Sequence, residues 1–249
     1  MDRETVTRIN SDLVIKEPSG GIRFGTDALL LAAFALPRIK KGFCIDLGTG
    51  SGVLPLLLLS AGSRARFSGL EIQPEYAEAA AGNAKANGFA RDFTVICGSA
   101  DEVASFYAAG SADHVITNPP YMRADCGRDN ENPRLSVARR EVCGGAGAFC
   151  RAAARCLKSG GSFFCVYRPD RLTNLLYEMR ANGIEPKRLR AVFPSAGKKP
   201  SLILAEGKKD AAEGLSFESS LFIYKNSSHR EYSEEMEEIY SRFSGGKRK

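Results

Sequence analysis

Seven residues near the middle of the chain, Ile116 to Met122 (ITNPPYM), end an apolar run with an amide, two prolines and a tyrosine. Proline fixes its own φ, has no backbone N–H and pushes the preceding residue into an extended conformation, so the stretch is stiff. Between Asn118 and Tyr121 the main chain offers the carbonyls of Pro119 and Pro120 and no N–H, and the Asn118 side chain adds a further acceptor. Such a surface suits a ligand that presents N–H groups. Asn-Pro pairs also begin ordinary turns, so a turn closing a strand is the alternative reading of these residues alone.

A second group is Asp46-Leu47-Gly48-Thr49-Gly50-Ser51-Gly52. Three alternating glycines let a backbone come close to a ligand, and Asp46 adds an acceptor. A dinucleotide fingerprint reads G-x-G-x-x-G, whereas this is G-x-G-x-G, which disfavours a pyrophosphate cradle. Further on, Glu71, followed by Ile72, ends a second apolar run, where a carboxylate can accept hydrogen bonds from both hydroxyls of a ribose. A nucleoside held without a phosphate site points to S-adenosylmethionine, whose sulfonium carries an activated methyl. The alternatives are a tight turn without a ligand and a surface acid opening the next helix. A third run ends in Gly98-Ser99-Ala100-Asp101, where the adenine of such a cofactor would lie; Ser99 is the expected contact and Asp101 the expected helix cap.

These residues need a scaffold that brings the ends of separate strands together. Apolar runs alternate with amphipathic stretches in the rhythm of a parallel α/β sheet. FCIDLG, RFSGLEI, FTVICG, DHVIT, GSFFCVYR, EPKRLRAVFP and SLILAEGKK read as strands. Helices are expected at VLPLLLLSAG, at PEYAEAAAGNAKANG between Pro74 and Gly88, around Asp101 to Ala109, near Ala146 to Leu157, from Pro169 to Asn182 and at YSEEMEEIYSRF. Met122 to Glu141 is polar, rich in turn formers and too long for a simple connector, so it reads as a functional loop. Ahead of the first strand, a helix from Asp27 onward is expected to pack over the mouth of the sheet. The expectation is therefore an α/β fold, a doubly wound, mostly parallel seven-stranded sheet. Residues 1–41 would form an N-terminal cap segment on the cofactor site, and residues 42–249 the body of a single domain.

The totals agree with a globular enzyme. At 249 residues and 43% hydrophobic content the chain can bury a substantial core. The apolar stretches, such as that around Val53 to Leu59, are too short for a membrane span, and the charged N-terminus lacks a secretory pattern, so a cytoplasmic location is expected. Seven cysteines without a C-x-x-C pair and two distant histidines, His114 and His229, give no metal cluster and suggest reduced thiols. The net charge of +6 is mild, but Lys187 to Arg190, Gly197 to Lys199, Arg139-Arg140 and the GGKRK tail are clustered. Clusters of that kind suit a polyanion, and each is equally compatible with a solvated face.

With DLGTGSG, LEI and NPPY in view, the chain resembles class I S-adenosylmethionine-dependent methyltransferases (Rossmann-like) that act on planar amino groups. The narrower resemblance covers nearly the whole chain. FGTDALLLAAF, DLGTGSGVLPLLLL, GLEIQPE, TNPPY, ARRE, YRPDRL, EPKRLRAVFP and KPSLILAE are similar to bacterial tRNA(Val) (adenine-N(6))-methyltransferases. The resemblance implies methyl transfer to the 6-amino group of adenine in RNA, with tRNA beside the anticodon as the first expectation. Asn118 and Pro119 would accept the two amine N–H bonds, Pro120 would stiffen the turn, and Tyr121 would stack on the extruded base.

It further implies that Phe24, Thr26 and Asp27 reach the methionine end of the cofactor, although Thr26 or Asp27 could instead cap the helix that follows. Arg139, Arg168 and Lys199 become candidates for RNA phosphate, or else solvated charges. Two departures stand out: the family usually has an acid where Ser99 stands, and ARRE replaces the more familiar ARHE at Arg140. Protein-glutamine N(5)-methyltransferases share NPPY and give a competing enzyme reading. A catalytically silent RNA-binding module on the same scaffold gives a competing reading of another class.

Overall fold

The computed structural model describes residues 5–9, 13–18, 25–119 and 145–243. In chain order the elements are β1 (Thr5–Arg8), β2 (Val14–Glu17), α1 (Thr26–Ala35), β3 (Phe43–Leu47), α2 (Val53–Ser60), β4 (Arg66–Glu71), α3 (Pro74–Ala86) and β5 (Phe93–Cys97). A 3-10 turn at Ala100–Glu102 leads into α4 (Val103–Phe106), followed by β6 (Ala112–Thr117). After residue 144 come α5 (Gly145–Cys156), β7 (Leu157–Tyr167), α6 (Leu172–Ala181), β8 (Ile184–Phe193), β9 (Leu202–Lys209), β10 (Ser216–Phe217), β11 (Leu221–Phe222) and α7 (Glu234–Phe243).

The main sheet runs β10-β8-β9-β7-β6-β3-β4-β5, with β11 also on β8. Its seven long strands are the seven read from the sequence, and two short strands extend the β8 edge. β3, β4, β5, β6 and β7 are mutually parallel, and β9 is antiparallel to both β7 and β8. Two reversals restore the direction, so β8 points the same way as β6 and β7. Phe193 at the end of β8 therefore shares an edge with Leu47, Glu71, Cys97, Thr117 and Tyr167. β3 has β4 on one side and β6 on the other, so the order of crossovers reverses between β3 and β6. In open α/β sheets that switch point is where ligands bind.

Each face of the sheet buries its own apolar cluster. On one face α1, α2, α3 and α7 contribute Leu30, Leu31, Leu57, Leu58, Ala80, Ala84, Met236 and Phe243. On the other, α4, α5 and α6 contribute Val103, Phe149, Ala153, Leu175 and Met179. Strands covered on both faces read as mostly apolar runs, which is why the sequence located the central ones.

Three local expectations need correction. α1 packs against α2, β7, β9 and α7, and seven of its ten residues are buried, so it is a layer of the sheet face. An all-round apolar helix can satisfy itself only by such burial. The helix expected over Asp101 to Ala109 is shorter, because Tyr107 turns extended after Phe106. Ser99 is the cap there: its side chain accepts from Asp101 N at 3.2 Å.

The N-terminal hairpin β1–β2 was not read from the sequence at all. Its strands are four residues long, and its support comes from α3. Asn83 accepts from Lys16 N and donates to Lys16 O, both at 2.9 Å. One helical turn on, Asn87 accepts from Val14 N at 2.9 Å and donates to Val14 O at 2.8 Å. The two amides imitate the edge of a neighbouring strand. The loop Met122 to Glu141 and the tail Gly245 to Lys249 lie outside the described residues.

Candidate active site

The glycine turn leaves β3 at Leu47. Gly48, Gly50 and Gly52 have φ of +72°, +55° and +83°, values that L side chains adopt only at a cost. Gly48 N and Thr49 N both donate to Leu70 O of β4, at 2.8 and 3.1 Å, so the turn folds back over the adjacent strand. Space for this comes from Gly69, where an added Cβ would lie 2.6 Å from Thr49 Cγ2. Thr49 is thereby held where its hydroxyl donates to Asp46 Oδ2 at 2.6 Å. Under the turn, the buried ring of Phe149 from α5 stands 3.7 Å from where a Gly48 Cβ would be.

Asp46 is 1% exposed, and its Oδ1 has no hydrogen-bond partner among the described residues. Burial pushes its carboxyl up to about 7 against the pull of the Thr49 hydrogen bond, with the Glu71 charge adding to the rise. Glu71, at the end of β4, is also buried. Its Oε2 accepts from Gly50 N at 2.8 Å and its Oε1 from Gln73 N at 3.0 Å. The carboxylate expected to face a ribose therefore also latches the glycine turn to the start of α3, and a ribose would share its remaining lone pairs. Where a Gly50 Cβ would stand, no atom lies within 4 Å, so this stretch of backbone faces open space.

β5 ends against Glu71: the two strands pair Glu71 with Cys97, and Gly98 N donates to Glu71 O at 2.9 Å. Half-buried Ile72 and capping Ser99 thus flank the same strand ends. Across the switch point, Asp46 pairs with Ile116, and Thr117 Oγ1 donates to Leu47 O at 2.8 Å. Carried two residues further, that register sets Asn118 beside Gly48. Asn118 is half-buried and Pro119 buried. Asp46, Gly48, Gly50, Glu71, Ser99 and Asn118 therefore meet along one edge of β6, β3, β4 and β5.

Other expected residues are less closely joined to this group. Thr26 and Asp27 stand half-buried in the first turn of α1. Gly25 is the cap residue there, and Asp27 Oδ1 accepts from Ala28 N at 2.9 Å, so neither Thr26 nor Asp27 is the cap. Among the described residues no hydrogen bond links these two to the glycine turn. Arg168 follows β7 on the same edge as Asn118 and grips Asp170 through bonds of 2.9 and 3.1 Å. Lys199 is exposed in the β8–β9 connection, again on that edge. Phe24, Pro120, Tyr121, Arg139 and Arg140 lie outside the described residues.

Thr49, Thr117 and Asn83 had not been singled out. Asn83 is 1% exposed and donates to Ser51 O at 2.9 Å, so it ties the glycine turn to the N-terminal hairpin. Its spacing with Ala80 and Ala84 puts Asn83 on the buried stripe of α3, with half-buried Asn87 as the cap one turn on, a signal visible in the sequence. Cys44, Cys150, Cys156 and Cys165 are buried free thiols, with burial pushing Cys150 up to about 12 and Cys156 up to about 11. They are packing residues. Among the described residues there is no cluster of metal-ligating side chains and no helix long and apolar enough to cross a membrane.

Comparison with known proteins gives a consistent picture. The family described as "Methyltransferase small domain" matches residues 19–179. A Porphyromonas gingivalis protein named tRNA1(Val) (adenine(37)-N6)-methyltransferase is 27% identical over 221 residues, covering 84% of each chain. A protein of the same name from an Enterobacter species is 31% identical over 161 residues, 61% of each chain. Among solved structures, a "predicted O-methyltransferase" from Agrobacterium tumefaciens superposes with a TM-score of 0.71 at 19% identity, covering 89% of this chain and 99% of that one. TYW2 from M. jannaschii, solved in complex with AdoMet, gives 0.56 at 14% identity, covering 84% and 88%. At these identities the two structures speak for the fold.

Proposed function

The chain belongs to the methyltransferase small domain family, and we propose that it transfers the methyl group of S-adenosylmethionine to the exocyclic 6-amino group of adenine in RNA, with tRNA as the substrate. The observation that supports this most is the position of Asn118. It stands at the end of β6, across the switch point from the glycine turn, on a strand end that Thr117 bonds to Leu47.

The residues present fit the donor. S-adenosylmethionine brings cationic groups and hydroxyl donors, and the site offers two buried carboxylates, Asp46 and Glu71, one with an oxygen still to be satisfied. Asp46, the backbone of Gly48 and Gly50, Glu71, Ile72 and Ser99 would hold it, with Thr26 and Asp27 as further candidates. When bound, it supplies a methyl group activated by attachment to a sulfonium.

The chain's own residues do the rest. An adenine amine is a weak nucleophile because its lone pair is delocalised into the ring. The Asn118 side-chain oxygen and the Pro119 carbonyl accept its two N–H bonds and stabilise the positive charge that develops on nitrogen. With the donor bound, the new N–C bond would replace the S–C bond, whose electron pair would stay with sulfur, and the amine held by Asn118 and Pro119 would release one N–H proton to water. No strong base is needed. Thr117 and Thr49 hold the two strand ends in position, so the orientation of the amine is set before reaction.

Incubating the protein with labelled S-adenosylmethionine and unmodified tRNA, followed by nucleoside mass spectrometry, tests the reading. N6-methyladenosine is the expected product. Label that enters only an added release factor would replace this reading with the protein-glutamine one, and label in neither would remove both.

A further inference from the structure

Past β11 the chain makes a small, well-bonded hairpin. Tyr224 and Tyr232 form an antiparallel bridge, Lys225 N donates to Glu231 O at 3.0 Å, and Ser228 N and Oγ both donate to Asn226 Oδ1. The hairpin presents aromatic rings in series. His229 stacks on Tyr224 with centroids 4.7 Å apart and planes 18° from parallel. Tyr224 stacks on Tyr232 at 5.3 Å and 14°, and Tyr232 meets Tyr240 of α7 at 4.9 Å.

The series is open at one end. His229 is exposed, and among the described residues no ring other than Tyr224 stacks on it. Its φ is +55°, a conformation that is unfavourable for a residue other than glycine. A strained, exposed ring stacked at the end of an aromatic series gains little from core burial. It suits a flat ligand that continues the stack.

Two further observations indicate which ligand. The hairpin is anchored at the end of β8, through Tyr224 N to Pro194 O at 2.8 Å, and that end lies on the edge that holds Asn118. The hairpin continues β11, which pairs with β8 on the side away from β9, and β8, β9 and β7 stand between it and β6, so the separation is four strand spacings, about 19 Å. Exposed Lys198 and Lys199 sit in the connection that follows Pro194, and exposed Lys225 and Arg230 sit in the hairpin. Against these four cations the two segments hold one acid, Glu231; the acidic first turn of α7 ends the cationic strip.

We propose that His229, stacked on Tyr224 and Tyr232 and flanked by Lys198, Lys199, Lys225 and Arg230, is a stacking platform for a single-stranded nucleobase a few nucleotides along the strand from the methyl-accepting adenine. Stacking supplies affinity with little sequence preference, and the cations follow the phosphates. The inference rests on the proposed RNA methylation and adds the place where the flanking strand is gripped.

Steady-state transfer to an unmodified tRNA transcript tests it, using the full chain as parent, His229→Asn and His229→Tyr. Asparagine tolerates the left-handed backbone and lacks a ring; tyrosine keeps a ring. His229→Asn should raise KM for tRNA about 5- to 150-fold, the range for one base–aromatic stack, with kcat and affinity for S-adenosylmethionine unchanged. His229→Tyr should recover most of the loss, and Lys225→Ala with Arg230→Ala should lower the salt dependence of KM. Unchanged KM in His229→Asn, while the parent methylates the transcript, overturns the platform. Failure of the parent to methylate any tRNA instead overturns the functional reading beneath it. If sedimentation shows that His229→Asn only dissociates a dimer and KM stays put, the stack is a contact between copies and the platform is likewise overturned.

Discussion

Replacing Asp46 with asparagine should stabilise the protein at alkaline pH and cripple it as an enzyme. The side chain is 1% exposed, and its carboxyl is pushed from 3.8 up to about 7, first by burial, with Thr49 opposing and Glu71 adding. The folded chain thus holds the Asp46 proton more tightly than the unfolded chain does. That contribution to stability is complete below about pH 4 and is lost as pH rises through 7. At about 1.4 kcal/mol for each pH unit, the gap between 3.8 and about 7 corresponds to up to about 4 kcal/mol. Asparagine keeps the shape, can accept the Thr49 hydroxyl, and never ionises.

Urea titrations of parent and Asp46→Asn from pH 4.5 to 8.5 read this difference directly, because every other titrating group is common to both. The variant should gain on the parent steadily up to about pH 8 and then level off. Calorimetry should show the opposite for the donor. The parent binds S-adenosylmethionine more tightly as Asp46 ionises, up to about tenfold per pH unit below 7, while the variant binds weakly and without that pH dependence. A stability difference that stays constant across the whole range would refute the claim that a buried, charge-averse carboxylate is kept here for the donor.

Three further outcomes follow from the same geometry. Asn118→Ala should lower kcat about 10²- to 10³-fold, the usual loss for one transition-state hydrogen-bonding group, with the donor dissociation constant nearly unchanged by calorimetry. Glu71→Ala releases the amides of Gly50 and Gln73 and should weaken donor binding by about tenfold or more, since hydrogen bonds to a charged group contribute about 1.5–3 kcal/mol. Arg188 donates to buried Glu206 at 2.7 Å, to Glu218 at 2.6 Å and to Phe34 O at 3.1 Å, and lies 3.9 Å over the Phe34 ring. Arg188→Ala strands the Glu206 charge and should cost about 3–5 kcal/mol in urea unfolding, whereas Arg188→Met combined with Glu206→Leu should recover most of it.

The strands, the glycine turn and the Asn-Pro-Pro segment were legible in the sequence, for local reasons. A strand covered on both faces is mostly apolar, a turn with three left-handed residues needs glycines, and proline removes N–H groups wherever it stands. Pro74 and Gly88 bounded α3 as expected, with Gly88 at φ +78°. The helix at 101–109 was read too long, because Tyr107 turns extended to bury its ring and bond Ser68, a contact with a distant strand that local pattern does not state. The hairpin β1–β2 was missed because its partners, Asn83 and Asn87, are far away in the chain.

By itself the sequence determined the types of the acceptors and the strand ends that bear them: Asp46 and Glu71 beside glycines, Asn118 before two prolines. Only the tertiary structure decided that β6 lies next to β3, which puts Asn118 against the glycine turn. It also decided that Glu71 spends part of its capacity on Gly50 and Gln73, and that β8 ends on the same edge as β6 because β9 runs backwards between β8 and β7. The physical reason is common to all three. Hydrogen-bond ladders and buried carboxylates are satisfied by neighbours in space, and chain order does not state which strands those neighbours are.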